Sequence, residues 1–373
     1  MSGIYIHIPF CKQKCSYCDF HFSTTFGSYR TEMLEIMKNE ITHRRDYLID
    51  KKLKSIYFGG GTPSLLTKAE LTGIIARIRE HFTLSERTEI TLEANPDDIT
   101  EGSVAEWIEA GINRLSIGLQ SFREMDLQWM NRAHTVDEAN KCVQIAQRAG
   151  ITNISIDLIY GLPELTIDEW KDHVQRAILM GVPHVSAYCL TVEERTALDK
   201  LVRDKKIIPG GEDDQSDQFL VLTEQLKNAG FHHYEISNFG KPGYEAIHNS
   251  NYWKGEHYLG IGPSAHSFNG TSRRWNISNN PGYIKHFNGE GQWFEEEVLS
   301  PIDQWNELIL TGLRTSYGVT LSKLSMIQPF SDSFLSDIEN LKQNGLAILK
   351  DDVLILTDRG RLQADHIASQ LFL

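Results

Sequence analysis

The sequence predicts an α/β fold, a partial (β/α)6 barrel, followed by a C-terminal, mostly helical, winged-helix-like domain. Two observations carry this prediction. Up to about residue 190, six short runs rich in β-branched residues alternate with longer segments of helical period. After Pro301, helical segments follow one another and end in a hairpin pattern. Parallel strands need crossover connections, and these are right-handed, so such a sheet can curl into a full or partial barrel.

The predicted elements follow in chain order. The strands are short apolar runs at residues 3–8, 55–58, 89–93, 114–119, 153–159 and 184–190. The helices have apolar residues near a helical period and are 29–48, 68–81, 136–149, 167–180 and 217–229, then 306–314, 322–326 and 332–343. A hairpin over 346–360 turns near Asp351 and Asp352. We therefore predict a partial barrel in 1–210, a barrel extension in 211–300 and a winged-helix-like domain in 301–373.

Charge and cysteine usage limit the function classes. The net charge is −13, with acidic runs at 212–214 and 295–297. Nucleic-acid binding needs clustered Lys and Arg, so no nucleic-acid partner is expected and the C-terminal domain is predicted to be an interface or cap. The five cysteines are odd in number and no secretory leader or membrane span is evident, which favours a reducing, cytoplasmic setting. Cys142 and Cys189 fall in a predicted helix and strand, where we expect buried side chains.

Three cysteines follow the first predicted strand in a CxxxCxxC pattern, Cys11, Cys15 and Cys18. Thiolates are soft ligands that suit zinc or iron–sulfur clusters. Three thiolates leave one iron of a four-iron cluster open to another ligand. The alternative is a closed structural zinc site, completed by His7, Asp19 or His21.

Further polar or flexible residues come at the ends of the next strands, where barrel enzymes place their chemistry. GGGTP, residues 59–63, follows the second strand, and its glycines let a ligand approach the backbone closely. No GK[ST] follows, so the loop is not a phosphate-binding P-loop. The polar residues at or just after other strand ends are Glu93, Gln120, Arg132 and Asp157. Each one alone fits a surface or capping role, whereas together they predict a site for a zwitterionic, ribose-bearing ligand.

CxxxCxxC, GGGTP, the ExNP of "EANP", SIGLQS and DLIYGLP occur in this order and resemble the radical S-adenosylmethionine (SAM) superfamily, in the branch of oxygen-independent coproporphyrinogen III oxidase. The resemblance covers essentially the whole chain. It implies a [4Fe-4S] cluster on Cys11, Cys15 and Cys18, with S-adenosylmethionine on the open iron. It also implies cofactor-binding positions at Tyr5, Tyr17, Gly60, Gly61, Thr62, Glu93, Gln120, Arg132 and Asp157.

Two departures point away from the oxidases. The oxidases resemble CxxxCxxCxC, whereas Phe20 takes the last of these positions here, and the chain begins four residues before Tyr5, without their N-terminal extension. Both features are similar to heme chaperones of the same superfamily, as is the HNxxYW motif of "HNSNYW" at 248–253. His248 is therefore a candidate heme ligand, while Tyr252 and Trp253 offer flat surface for a porphyrin.

The motif has an alternative interpretation as a helix start with packed aromatics, and His257 and His266 are rival heme ligands. The favoured function is a cytoplasmic protein that binds heme and passes it to acceptors such as cytochromes, with any membrane contact made through the acceptor. Cleavage of S-adenosylmethionine is within the capacity of such a fold. The alternatives are a coproporphyrinogen oxidase, a related radical SAM methyltransferase and a non-catalytic zinc protein.

Overall fold

The computed structural model describes residues 2–373, and most of them surround one large mixed sheet. Its centre is a run of parallel strands that pair in chain order: β1 (Ser2–Ile8), β2 (Lys52–Gly60), β3 (Thr83–Ala94), β4 (Arg114–Gln120), β5 (Ile154–Tyr160) and β6 (His184–Cys189). The strands predicted from the sequence are confirmed, and β2 and β3 extend beyond their predicted limits.

Helices connect the parallel strands: α1 (Arg30–His43), α2 (Lys68–His81), α3 (Glu101–Ala110), α4 (Glu124–Trp129), α5 (Val136–Ala149), α6 (Ile167–Leu179) and, after β6, α7 (Ala197–Arg203). Threonines 67, 100, 135 and 166 cap α2, α3, α5 and α6 in capping boxes, which satisfy backbone N–H groups at the helix start. Short 3-10 turns at Pro63–Leu65 and Pro96–Asp98 follow β2 and β3.

The stretch after α7 flanks the parallel strands on both sides. It contains α8 (Glu212–Asn228), β7 (His232–Glu235), β8 (Asn238–Gly240), α9 (Ile247–Trp253), β9 (His257–Ile261), β10 (His266–Phe268), β11 (Ser272–Asn276), α10 (Asn280–Lys285), a π turn (His286–Glu290) and β12 (Phe294–Val298). β9 pairs in parallel with β1, and β8 pairs antiparallel with β6. The sheet order thus runs from β12 to β7 without β1 meeting β6, so the barrel is partial.

The parallel strands have one apolar and one polar face. Ile4, Ile6 and Ile8 of β1 are fully buried, whereas Tyr5 and His7 between them line a cavity. Strands of parallel sheets are usually apolar on both faces. Here the alternate residues of β1–β6 that point inward are largely polar, and residues from all six strands line the same two adjoining cavities. The sheet is therefore curved around a polar lumen.

The last part of the chain forms a small second core around residues such as Trp305, Phe334 and Leu354. Its elements are α11 (Pro301–Leu313), β13 (Val319–Thr320), α12 (Leu321–Ile327), α13 (Asp332–Gln343), β14 (Ala347–Lys350), β15 (Val353–Leu356), α14 (Asp358–Arg361) and α15 (Ala364–Gln370). The β14–β15 hairpin turns at Asp351 and Asp352, and the mostly helical architecture agrees with the prediction. Within residues 2–373, no helix has both the length and the apolar character needed to cross a membrane.

Candidate functional site

A cavity of about 420 Å³ lies at the carboxyl ends of the parallel strands. The loop after β1 and the ends of β2–β6 contribute to its wall. Most of the predicted site residues line it together: Cys11, Cys15, Tyr17, Cys18, Gly60, Gly61, Thr62, Glu93, Gln120, Arg132 and Asp157. Tyr5 and His248 line the adjoining cavity instead. Residues that are up to 146 positions apart in the sequence therefore meet in one place.

Backbone hydrogen bonds close the cysteine loop on itself and join it to the glycine turn after β2. Cys11 N donates to Ser23 O at 3.1 Å, and Thr62 N donates to Phe10 O at 2.7 Å. Gly61 has to be glycine for this packing, because a Cβ atom there would lie 2.5 Å from the Phe10 carbonyl oxygen. The thiol groups are thus held beside the glycine turn that follows β2.

Two donors point at the cysteine sulfurs. Thr62 Oγ1 donates to Cys11 Sγ at 3.5 Å, and Arg132 Nη1 donates to Cys15 Sγ at 3.5 Å. Burial raises the pKa of Cys11 to about 11 and that of Cys18 to about 12. Free thiols at these positions are therefore protonated near neutral pH, and only a bound metal would deprotonate them outright.

A single metal ion does not fit the cysteine loop. Among the side chains that the structure describes, no group of three or more His, Cys, Asp or Glu is placed to share one ion. His7, proposed as a zinc ligand, uses both ring nitrogens elsewhere, Nδ1 with Tyr5 Oη at 3.1 Å and Nε2 with His21 O at 2.8 Å. Thiolates of an iron–sulfur cluster bind different irons, so they need not converge on one point. The arrangement therefore fits a cluster better than zinc.

Arg132 links the cysteine loop to residues at the ends of β3 and β4. Its Nη2 donates to Asn95 Oδ1 at 2.7 Å and to Gly118 O at 2.9 Å. Gln120 at the end of β4 has a positive φ of 67°, a conformation that costs energy for a residue with a side chain and is often found at functional sites. A Cβ atom on Gly118 would lie 2.8 Å from Gln120 Nε2, so the glycine makes room for this side chain.

Glu93 and Asp157 are the two acidic strand residues that line the cavity. Tyr57 Oη donates to Glu93 Oε1 at 2.8 Å, and Gly60 N donates to Oε2 at 3.2 Å. Burial raises the pKa of Glu93 to about 7, and the nearby charge of Asp157 adds to the rise. Burial also raises the pKa of Asp157 to about 6. Each carboxyl group would be stabilised by a cation or by hydroxyl donors placed against it.

A second, larger cavity of about 1030 Å³ continues from the first towards the amino ends of the strands. The two cavities share several lining residues: Asp19, Phe20, Phe22, Glu93, Ser116, Asp157 and Tyr188. Phe20 is 67% exposed and lies at this boundary. We call the two cavities together the barrel lumen, the first its cysteine end and the second its histidine end.

The HNxxYW motif forms α9, which closes the floor of the lumen at the amino ends of the strands. Glu89 of β3 accepts hydrogen bonds from the backbone N–H groups of Ile247 at 3.2 Å and His248 at 3.1 Å. His248 Nδ1 bonds to Ser55 Oγ at 2.9 Å, and its ring stacks on Tyr57 with the centroids 5.2 Å apart. The motif is therefore at the opposite end of the lumen from the cysteine loop.

The candidate heme ligands differ in where they lie. Burial, with a further effect of the Arg114 charge, lowers the pKa of His248 to about 4, so its ring is neutral near neutral pH. Within the described chain its Nε2 makes no hydrogen bond, which leaves this atom available to a metal. His266 is exposed and also lines the histidine end, whereas His257 lines neither of the two cavities. Tyr252 and Trp253 line it as well.

The sequence patterns missed part of this site. Cys142 is buried as expected, but Cys189 is only partly buried and lines the cysteine end, so that expectation was wrong. Ser55, Glu89 and Arg114 at the floor were not anticipated. The available signal was a period of two, since polar residues alternate with apolar ones along each of these strands.

Comparisons with known proteins agree with this geometry. Residues 5–177 match the model of the Radical SAM superfamily, and residues 299–362 match the HemN C-terminal domain. The chain is 34% identical to the heme chaperone HemW of Lactococcus lactis over 97% of this chain and 92% of the relative. It is also 34% identical to the heme chaperone HemW of Mycobacterium tuberculosis, over 99% and 94% of the two chains.

A solved structure matches along the entire chain. Coproporphyrinogen III oxidase (HemN) from Escherichia coli, a radical SAM enzyme, superposes with a TM-score of 0.84 at 22% identity. The match covers 100% of this chain and 90% of that one. At this level of identity the likeness shows a shared fold.

Proposed function

Because the chain belongs to the heme chaperone HemW family of the radical SAM superfamily, we propose that it binds heme in the barrel lumen and passes it to acceptor proteins. The observation that carries this proposal is the histidine end of the lumen. It has a volume of about 1030 Å³, is lined by aromatic side chains and contains a neutral histidine, His248, with a free ring nitrogen.

Family membership implies two cofactors, a [4Fe-4S] cluster and S-adenosylmethionine, which together supply one-electron chemistry when bound. We assign the cluster to Cys11, Cys15 and Cys18. The fit rests on the donors at the Cys11 and Cys15 sulfurs, which favour thiolates, and on the absence of a single-ion site within residues 2–373.

S-adenosylmethionine is assigned to the rest of the cysteine end. Glu93 would attract its ammonium group, Arg132 its carboxylate and Asp157 its ribose hydroxyls. Gly60, Gly61 and Thr62 would let the ligand approach the backbone after β2, since two of these residues carry no side chain. Tyr17 and Gln120 line the same end, and the remaining assigned residue, Tyr5, lines the adjoining histidine end. These side chains bind and orient the cofactor and exclude water from it.

Heme is assigned to the histidine end. A metal-ligating histidine usually donates its other ring N–H to a neighbouring acceptor, which fixes the tautomer. His248 Nδ1 has such a partner in Ser55 Oγ at 2.9 Å, and this leaves Nε2 as the atom that would bind iron. Tyr252, 39% exposed, and Trp253 would cover part of the porphyrin face. Acceptors would be heme proteins such as cytochromes.

Anaerobic reconstitution followed by heme titration tests the proposal. We expect a Soret band that saturates near one heme per chain. His248→Ala should shift the band and weaken binding, because the axial ligand is lost. His257→Ala is the matched control and should bind heme like the unsubstituted protein, since His257 lies outside the lumen. The absence of a Soret band in the reconstituted, unsubstituted protein would contradict the proposed function.

A second candidate function is oxidation of coproporphyrinogen, favoured by the fold shared with the oxidase along the whole chain. Phe20, at the boundary between the two ends of the lumen, stands where the oxidases have a further cysteine. We therefore expect no conversion of coproporphyrinogen III to protoporphyrinogen by the anaerobically reconstituted protein. Appearance of that product would favour the oxidase.

A further inference from the structure

Arg114 is an unusual residue at the floor of the lumen. It is the first residue of β4, only 2% exposed, and it lines the histidine end near His248. Burying an arginine is costly unless its charge is paired and its N–H groups are hydrogen-bonded. The partners of this guanidinium therefore decide whether it is a purely structural residue.

The charge of Arg114 is paired, but its hydrogen-bonding capacity is not used. Arg114 Nε lies 3.8 Å from Glu89 Oε2, which is an ion pair beyond hydrogen-bond distance. Nε is buried without any hydrogen-bond partner, and in the described part of the chain neither Nη atom makes a hydrogen bond. Both Glu89 oxygens already accept backbone N–H groups at the start of α9.

The polar neighbours of Arg114 form hydrogen bonds with other groups. His184 bonds through Nδ1 to Ser155 Oγ at 2.7 Å and through Nε2 to Tyr234 Oη at 2.8 Å. Glu235, which lines the same end of the lumen, accepts hydrogen bonds from Asn238 and Arg314. Glu93 and Asp157 are displaced towards the cysteine end by the strand register. Thr91 pairs with Arg114, whereas Glu93 pairs with Ser116, two residues further along β4. Asp157 pairs with Gly118, four residues further.

Arg314, a second arginine that lines the histidine end, is hydrogen-bonded where Arg114 is not. Arg314 donates through Nη1 to Asp365 Oδ1 at 2.8 Å and through Nε to Glu235 Oε1 at 3.4 Å. Its side chain is 21% exposed. Arg314 is thus hydrogen-bonded by the protein itself, whereas the more deeply buried Arg114 is not.

We propose that Arg114 is a carboxylate-binding residue of the lumen. Its Nη groups would donate a pair of hydrogen bonds to one carboxylate of the bound ligand, the geometry that guanidinium and carboxylate groups share. This inference rests on the proposed function, because a heme carries two propionate side chains. It makes Arg114 a specificity-determining residue that selects tetrapyrroles with a free carboxylate at the end directed to the floor.

The proposal has a test that requires no substitution. Heme and heme dimethyl ester differ only in their carboxylates, and the ester cannot act as an anion towards Arg114. The reconstituted protein should bind heme about tenfold to a hundredfold more tightly than the ester, the range expected for hydrogen bonds to a charged group. Equal binding of the two ligands would overturn the role of Arg114 and leave heme binding intact. Binding of neither ligand would overturn the proposed function and this inference with it.

Substitutions then test whether the preference for heme over heme dimethyl ester depends on Arg114. Arg114→Gln should lower heme affinity to that of the ester and leave ester affinity unchanged, whereas Arg114→Lys should keep part of the preference as a point charge. Arg314→Gln is the matched control and should keep the ratio of the two affinities. Equal weakening of both ligands in Arg114→Gln would instead indicate a structural role and overturn the proposal. Iron content and thermal unfolding show that each variant is folded.

Discussion

At the cysteine end the lumen is lined by a loop and glycine-rich turns, whereas at the histidine end it is closed by a helix whose polar groups are bonded to the barrel. The three cysteines of the loop have few partners within the protein. Cys11 Sγ accepts from Thr62 and Cys15 Sγ accepts from Arg132, each at 3.5 Å. His248, by contrast, is held through its backbone by Glu89 and through its ring by Ser55 and Tyr57.

The side chains at the cysteine end are therefore available to bind a ligand, whereas most side chains at the floor stabilise the fold. Thiols and raised-pKa carboxyl groups at the cysteine end are left to be stabilised by cofactors. The floor is stabilised largely by the chain itself, with the guanidinium of Arg114 and Nε2 of His248 as its exceptions. Substitutions of the assigned cluster and cofactor residues at the cysteine end should therefore change cofactor content, and substitutions at the floor should change the free energy of unfolding.

The largest effect is expected for Cys15→Ala. Removing one of the three thiolates should abolish the cluster, because the other two cysteines cannot hold four irons alone. Iron and sulfide analysis of anaerobically purified protein measures this directly. Cys189→Ala is a matched control, since Cys189 lines the same end of the lumen outside the CxxxCxxC loop and should keep its full iron content. Full iron content in Cys15→Ala would contradict the assignment of the ligands.

An intermediate effect is expected at the floor. Glu89→Ala leaves the N–H groups of Ile247 and His248 without acceptors and leaves the charge of Arg114 buried and unpaired. Breaking such a pair costs about 3–5 kcal/mol in the free energy of unfolding. Urea denaturation of the apoprotein measures the loss.

Glu138→Ala is the matched control for this substitution. Glu138 also accepts a backbone N–H, that of Thr135 at 2.8 Å, but in an exposed capping box of α5. Its loss should cost about 1 kcal/mol or less. Equal losses in the two variants would show that the floor does not depend on the buried carboxylate.

The sequence predicted the cysteine end of the lumen better than the floor at the histidine end, for a physical reason. The cysteine end is made of residues at strand ends, and the carboxyl ends of parallel strands lie on one side of a sheet, so Glu93, Gln120 and Asp157 could be grouped without a structure. The floor depends on pairings that the sequence does not state. Nothing in the sequence indicates that Glu89 would cap a helix 158 residues away.

The burial of Arg114 is a second feature of the floor that the sequence did not predict. Arg114 is the first residue of a predicted strand, and charged residues are rarely buried. Local sequence patterns therefore favour an exposed side chain at this position. The structure buries it at the floor of the lumen beside Glu89, whose oxygens accept the first N–H groups of α9. Such an arrangement depends on tertiary contacts between distant segments, which local patterns do not encode.

The smallest effect is expected for Tyr57→Phe, which tests a side chain that contacts both His248 and Glu93. The Tyr57 ring stacks on His248, while its hydroxyl donates to Glu93 at 2.8 Å. Burial raises the pKa of Glu93 to about 7, and the hydroxyl opposes this rise by favouring the anion. The anion attracts the ammonium of S-adenosylmethionine, so affinity for this cofactor should increase as the pH rises through about 7.

Tyr57→Phe keeps the ring and removes only the hydroxyl, so the pKa of Glu93 should rise further and the increase in affinity should move to higher pH. We expect a displacement of about half a unit to one unit, or roughly 1 kcal/mol. Calorimetric titration of the reconstituted protein between pH 6 and pH 8 measures it. Tyr258→Phe is the control, because Tyr258 also lines the histidine end but its Oη accepts from Arg273 Nη1 at 3.3 Å rather than donating to Glu93. A midpoint that stays in place in Tyr57→Phe would mean that Glu93 is not the titrating group.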